Sequence, residues 1–281
     1  VASVNSPIRN FIKPFLFKIL GKYGYRYAQY FGKIRDIKYR LVEEKEMELL
    51  PFFVKEGDTV FDIGANYAYY TERFSRLVGK TGKVFSFEPI PFTYSVCKMI
   101  VDKLDLKNVR LFQLGVGKNE EKLTFSVPKL AFGGISAGQA HISGRKHEAT
   151  EKANYYNFQK EEQVVCKVIA IDNFIKEDIS PLSFVKIDIE GAEYYALQGM
   201  ENIIIKEQPV IMIEVQPYFL NGFGIDQAGF KDYIRYTLGY DIFHYDEINK
   251  SIKEITDDFF DANFILIPKS KLILYNNIIS K

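Results

Sequence analysis

The sequence contains no tryptophan and only two cysteines, Cys97 and Cys166, in 281 residues. Two cysteines make no disulfide framework and have no metal-ligand spacing, so a disulfide-stapled fold is excluded and two buried free thiols are expected. A charge bias is missing as well. The 37 Lys and Arg against 36 Asp and Glu leave a formal net charge of +1, which calls for no polyanionic partner, and no nucleic acid is expected. No run approaches the roughly 20 apolar residues that span a bilayer, and the start has neither the apolar core nor the cleavage pattern of a signal peptide. A cytoplasmic location is the expectation.

What is present is a composition of 47% hydrophobic and 26% charged residues, enough to bury a sizeable core. The first forty residues depart from the overall balance. Arg9, Lys13, Lys18, Lys22, Arg26, Lys33, Arg35, Lys38 and Arg40 face the single acid Asp36, interleaved with Phe11, Phe15, Phe17, Tyr23, Tyr25, Tyr27, Tyr30 and Phe31. Two readings follow: a helical cap whose aromatic face packs on the main domain, or a helix that makes peripheral contact with an anionic membrane surface. The chain is therefore divided into an N-terminal basic and aromatic extension, 1–50, and a main domain, 51–281.

Short apolar, β-branched runs recur at 60–63, 84–87, 109–114, 184–189, 210–215, 240–244 and 264–267. Helix-length segments at 69–78, 92–104, 193–205 and 227–238 separate several of them, and this alternation predicts an α/β fold, a doubly wound, mostly parallel sheet. Runs at 123–127 and 164–171 flank a long polar stretch, about 129–163, with Gly133, Gly134, Ser136, His141, Arg145 and His147. Such a stretch is either a lid facing the substrate or a flexible surface excursion. The residues after Lys269 suggest a short tail of no evident role. His244 reads as a satisfied sheet histidine before it reads as a base, and Asp172 as a cap for the following helix.

The segment from Val60 to Thr71, VFDIGANYAYYT, is a strand that stops at a small-residue turn and leads into a helix. In open α/β sheets this is where nucleotide-like ligands bind, with Gly64 sparing them a Cβ and Asp62 orienting the loop or holding an ammonium group. A pyrophosphate-binding loop would carry Gly-x-Gly-x-x-Gly, so a ligand without phosphates is favoured. The next strand ends in Phe87-Glu88-Pro89, which places Glu88 about twenty residues on, where an acid accepts hydrogen bonds from ribose hydroxyls.

A second motif, VKIDIEGAE from Val185 to Glu193, places Lys186, Asp188 and Glu190 on one side of a strand by simple alternation. Burying unpaired charge is costly, so such groups pair, meet solvent in a crevice, or serve chemistry. The following strand ends in Glu214. Asp188 and Glu214 then face one pocket as a base, as a cation-binding pair, or as partners of Lys186 in a structural ion pair.

Together with Asn263 to Lys269, these motifs resemble the successive motifs of the FkbM family of methyltransferases over about residues 50 to 270. The resemblance implies a Rossmann-like methyltransferase fold, S-adenosylmethionine as methyl donor, and a small-molecule, glycan or lipid-linked acceptor, commonly a sugar or secondary-metabolite hydroxyl. On this basis Asp62, Gly64, Ala65, Asn66, Tyr70 and Thr71 are expected around the methionine part of the donor, Glu88 and Pro89 at the ribose, and Phe92 or Leu114-Gly115 near adenine. Asp188 is the leading base or metal ligand, followed by Glu190 and Glu214, with Lys186 holding an acid ionised. Ala68 stands where the family often has a second glycine, adding a methyl group near the donor's methionine end. Two rival readings are a nicotinamide-dependent oxidoreductase and a non-catalytic membrane-surface module with a degenerate nucleoside pocket.

Overall fold

The computed structural model describes residues 7–129, 140–144 and 160–280. Twelve strands among the described residues form two sheets. In chain order they are β1 (Thr59–Ile63), β2 (Lys83–Phe87), β3 (Val109–Phe112), β4 (Gly115–Val116), β5 (Glu121–Lys129), β6 (His141–Ile142), β7 (Lys160–Ile169), β8 (Leu182–Ile187), β9 (Val210–Val215), β10 (Tyr240–Asp246), β11 (Ser251–Glu254) and β12 (Ala262–Pro268). The helices are α1 (Pro7–Lys38), α2 (Leu50–Phe53), α3 (Tyr69–Val78), α4 (Pro91–Lys103), α5 (Ile171–Phe174), α6 (Glu193–Gln198), α7 (Glu201–Glu207), α8 (Pro217–Gly222) and α9 (Gln227–Asp232).

The large sheet runs β11-β10-β12-β9-β8-β1-β2-β3. From β9 to β3 all pairs are parallel, while β12 lies antiparallel between β9 and β10 and β11 closes the edge antiparallel. This is the Rossmann-like, mostly parallel sheet expected from the alternation of runs. Its central strands are apolar on both faces because both are covered. One face packs Phe61, Ile63, Phe85, Phe87, Val185, Ile187 and Ile213 with Ala196 and Leu197 of α6 and Ile204 of α7. The other packs Val60, Val84, Phe184, Met212 and Ile265 with Phe74 and Val78 of α3 and Leu50 and Phe53 of α2.

The small sheet, β4-β7-β5-β6, is a finding the local sequence pattern did not give. β5 and β7 pair antiparallel without interruption from Glu121↔Val168 to Lys129↔Lys160, so the long polar stretch begins and ends in one two-stranded ribbon. Gly133, Gly134, Ser136, Arg145 and His147 lie outside the described residues. His141 is described: it is buried, opposite Ser126 on the β6 edge.

Four further expectations are corrected. The 193–205 helix is two, α6 and α7, because Gly199 lies against the Gly117 carbonyl, where a Cβ would sit 1.9 Å from the oxygen. The 227–238 helix changes at Tyr233 from α to the wider π form. The tail after Lys269 packs on the core through Leu272, Tyr275 and Ile278, and Ile279 bridges to Ile252. Asp172 does cap a helix, but not the next one. Its carboxylate accepts the Asn202 and Ile203 amides at 2.9 and 3.0 Å, at the start of α7. Cys97 and Cys166 are free and buried.

α1 bends at Gly21, whose φ of 62° is open to glycine at little cost, and its later part lies along α4, with Tyr30, Ile34 and Ile37 against Val96, Ile100 and Val101. Among the described residues no helix is long and apolar enough to cross a membrane.

Candidate active site

The chain turns one way from β1 to β2 and the other way to β8, so the β1–β8 boundary is the switch point where an open α/β sheet leaves a crevice at its carboxyl ends. The registers carry one row of residues across that rim: Glu88, Gly64, Asp188, Glu214 and Asn263 follow one another on neighbouring strands. The row beneath holds Ser86, Asp62, Lys186 and Met212.

Gly64 is the joint between the two sides. A Cβ on it would lie 1.9 Å from the Asp188 carbonyl, and its φ is 86°, so here glycine lets two chain segments touch as well as leaving a ligand room. Asn66 follows at φ 48° and Ala68 at φ 64°. Ala68 is buried in the core beneath α1 and α4 and does not line the crevice. The methyl group that replaces a glycine hydrogen there therefore bears on backbone conformation, not on the lining of the crevice.

Gly64, Asn66, Glu88, Pro89, Leu114, Gly115, Asp188 and Glu190 all line one crevice. Glu88 accepts the Asn66 amide at 3.1 Å and the Ile90 amide at 2.9 Å, and burial pushes its carboxyl up to about 7. Asp188 accepts from the Lys186 ammonium at 2.8 Å. Lys186 is almost fully buried and sits 4.5 Å from the centre of the Tyr70 ring. Burial opposes its charge, yet Asp188, Glu44 and Asp62 raise its affinity for the proton. Burial likewise opposes ionisation of Asp188, whose side chain keeps a third of its surface exposed, but Lys186 and a hydrogen bond with Glu214 hold it below the usual carboxylate range. Burial and the Asp188 charge push Glu214 up, opposite in direction to Asp188.

Several expected site residues do other work. Asp62 is fully buried below the turn, takes the Thr71 hydroxyl, and is raised by burial; Thr71 also contacts Ser86 at 3.2 Å. These residues brace the loop from beneath and do not line the crevice. Ala65 packs in the core and donates its amide to Phe87 at 2.9 Å. Phe92, at the start of α4, packs on the cluster that joins α4 to α1 and does not line the crevice. Tyr70 is buried and donates its hydroxyl to Glu44 at 2.7 Å, and Asn263 reaches the same Glu44 oxygen at 3.2 Å. Lys186 and Glu214 stand behind Asp188 without lining the crevice. Glu190 does line it, but from a turn at φ 58°, beyond the end of β8 at Ile187, so strand alternation is not what brings it there. Glu193 accepts the Ile189 and Gly191 amides at 3.1 and 3.0 Å and holds that turn, its carboxyl pushed by burial up to about 7.

The sequence reading missed an apolar wall. Ile90, Val116, Phe125, Ile142 and Val168 line the crevice, most of them from the small sheet. The alternation in 123–127 and 164–171 was the available signal. Glu44, which ties Tyr70 and Asn263 together, left no local pattern at all. A second cavity of about 630 Å³ shares Val116, Ile142, Val168 and Ala192 with the crevice and adds Tyr195, Phe223, Asn119, Ser143 and Asn221. His244 packs its ring 4.9 Å from Phe260 and 6.0 Å from Phe264, its affinity for a proton lowered by burial. Among the described residues, no group of three or more His, Cys, Asp or Glu is arranged to hold a metal ion.

A mostly parallel Rossmann-like sheet, with one reversed strand between its last two parallel members and an acid-rimmed crevice at the switch point, defines the methyltransferase class of fold. The chain belongs to the methyltransferase FkbM domain family, whose description matches residues 62–258. A fungal relative, Methyltransferase 1 of Beauveria bassiana, is 21% identical over 162 residues; the match takes in 57% of this chain and 64% of that protein. Among solved structures, the methyltransferase FkbM of Methylobacillus flagellatus is 13% identical with a TM-score of 0.47, covering 85% of this chain and 59% of that one. An O-methyltransferase of Thermotoga maritima described as SAM-dependent is 11% identical with a TM-score of 0.43, covering 83% and 69%. The chain thus spans about three fifths of the length of the first relatives it matches.

Proposed function

We propose that this methyltransferase moves a methyl group from S-adenosylmethionine to a hydroxyl of a sugar, glycan or secondary metabolite, the donor lying along the crevice between β1, β2 and β8. The observation that carries this reading is that Glu88 and Asp188 line one hollow from opposite sides of Gly64. The lining suits the donor. Among the described residues it offers three carboxyl groups, Glu88, Asp188 and Glu190, and no lysine or arginine, which favours a cationic nucleoside over the pyrophosphate of a nicotinamide dinucleotide. The Asn66 side-chain oxygen is buried without a partner, as befits a group awaiting an ammonium donor. Ile90, Leu114, Val116 and Phe125 supply an apolar slot for an adenine ring.

When bound, the donor supplies an electrophilic methyl on a sulfonium. The protein's part is to place Glu88 at the ribose hydroxyls, to hold the acceptor oxygen in line, and to take its proton. Asp188 is the carboxylate for that proton because Lys186 keeps it ionised. The donor would supply the methyl group and keep the C–S bonding pair on its sulfur, and the protein's own step is to accept the acceptor's hydroxyl proton on Asp188. Glu214 steadies Asp188 through the hydrogen bond between their carboxyl groups. The neighbouring cavity, with the Tyr195 and Phe223 rings beside Asn119, Ser143 and Asn221, suits an acceptor with both apolar faces and hydroxyls.

A thermal-shift series tests the donor. S-adenosylmethionine at about 100 times its Kd stabilises the fold by roughly 2.7 kcal/mol, while NAD gives no shift. A shift with NAD alone contradicts the reading. Labelled methyl donor incubated with glycans and hydroxylated metabolites then tests the acceptor: label in an alkali-stable ether supports it, and label only in esters or amines contradicts it.

A further inference from the structure

We propose that α1 is a peripheral anchor that rests on an anionic lipid bilayer. Phe15, Ile19, Leu20, Tyr27, Phe31 and, just past the helix, Tyr39 are large apolar or aromatic side chains that stand exposed, Phe15 and Phe31 at 64% and 65%. Phe15 and Ile19, and again Tyr27 and Phe31, are four residues apart, so each pair shares a helix face on its arm of the Gly21 bend. Lys18, Arg35, Lys38 and Arg40 are exposed among and beyond them. The first forty residues hold nine basic side chains and one acid, and that acid, Asp36, is buried at 1% and accepts the Tyr69 hydroxyl. Among the described side chains, the outward surface is therefore basic and apolar at once, with Lys18, Arg35 and Lys38 joined by Arg40, which pairs with Glu43 at 3.4 Å.

An anionic bilayer satisfies both features, with aromatic rings seated at the headgroup boundary and ammonium and guanidinium groups at lipid phosphates and carboxylates. A second copy of the chain would set the same basic surface against itself. A nucleic acid would leave Ile19 and Leu20 without a partner. The segment rests on the surface and does not cross it, since no described helix is long and apolar enough to span. The contact has a consequence for the crevice. Lys33 lies 4.5 Å from the centre of the Tyr67 ring and 5.4 Å from that of Tyr69, next to the Asn66 turn, so an anchored α1 holds the donor-side rim close to the lipid surface.

Co-sedimentation of the full chain with phosphatidylcholine vesicles, with and without phosphatidylserine, tests the proposal. Binding is expected only with phosphatidylserine present, and to fall with added salt. The exposed-site variants Lys18→Glu/Arg35→Glu/Lys38→Glu and Phe15→Ser/Phe31→Ser, shown by thermal melting to keep the fold, should each lose about tenfold or more in vesicle affinity. Equal binding to neutral and anionic vesicles, binding to neither, or unchanged affinity in both variants overturns the proposal. So does a dimer of the full chain that the Phe15→Ser/Phe31→Ser variant dissociates.

Discussion

Glu88 and Asp188 occupy the same row of the sheet rim, one on either side of Gly64, and the protein treats them in opposite ways. Two residues before Glu88 on the same strand face stands Ser86; two residues before Asp188 stands Lys186. Glu88, held by two backbone amides and without an adjacent ammonium, is pushed by burial up to about 7. Asp188, also opposed by burial, is held below the usual range by Lys186 at 2.8 Å. Strand position brings an acid to the crevice, and the residue one row down decides its charge. In the reaction proposed above, Glu88 is the carboxyl that ionises as the donor cation arrives, and Asp188 is the standing base.

The largest effect is expected from Lys186→Met. With the ammonium gone, Asp62 and Asp188 are left uncompensated, and denaturant unfolding should show a loss of about 3–5 kcal/mol. Next in size is Asp188→Asn, which should slow methyl transfer by about 100-fold or more; single-turnover rates at saturating donor measure it. Glu88→Ala acts on the other side, weakening donor binding by roughly 1.5–3 kcal/mol in calorimetric titration.

A smaller and sharper effect is the pH dependence. The folded Glu88 carboxyl holds its proton up to about 7 while the unfolded one has released it near the ordinary 4.5, so its contribution to stability is complete below the unfolded value and is lost as pH rises through 7. Donor-free protein should melt lower at pH 8 than at pH 5, and Glu88→Gln should flatten that slope. What remains belongs partly to Glu193, which is raised to a similar value. Donor affinity should run the other way, rising with pH as the carboxylate forms, and should lose that rise in Glu88→Gln.

Much of this was legible in the residues because it is local. The runs 60–63, 84–87 and 210–215 are strands by their own periodicity, and Glu88 and Asp188, which follow directly on β2 and β8, fall at the crevice because parallel strands share one carboxyl edge. Non-local pairing was not legible. β5 and β7 lie about thirty residues apart, and nothing in either run states their register, so the wall they build with Phe125 and Val168 was hidden. Tyr70 and Thr71 show the other limit. Their place in the motif suggested contact with the donor, but helical rotation turns Tyr70 toward Glu44 and Thr71 toward Asp62. Glu44 itself precedes the first strand, and only folding brings it to Asn263.

The division of labour between the two acids is tested most directly by titrating S-adenosylmethionine into Glu88→Ala and Asp188→Asn side by side. The structure predicts a Kd about tenfold or more weaker in the first and within about twofold of the parent in the second. Equal affinities in both variants, or a loss confined to Asp188→Asn, would contradict it.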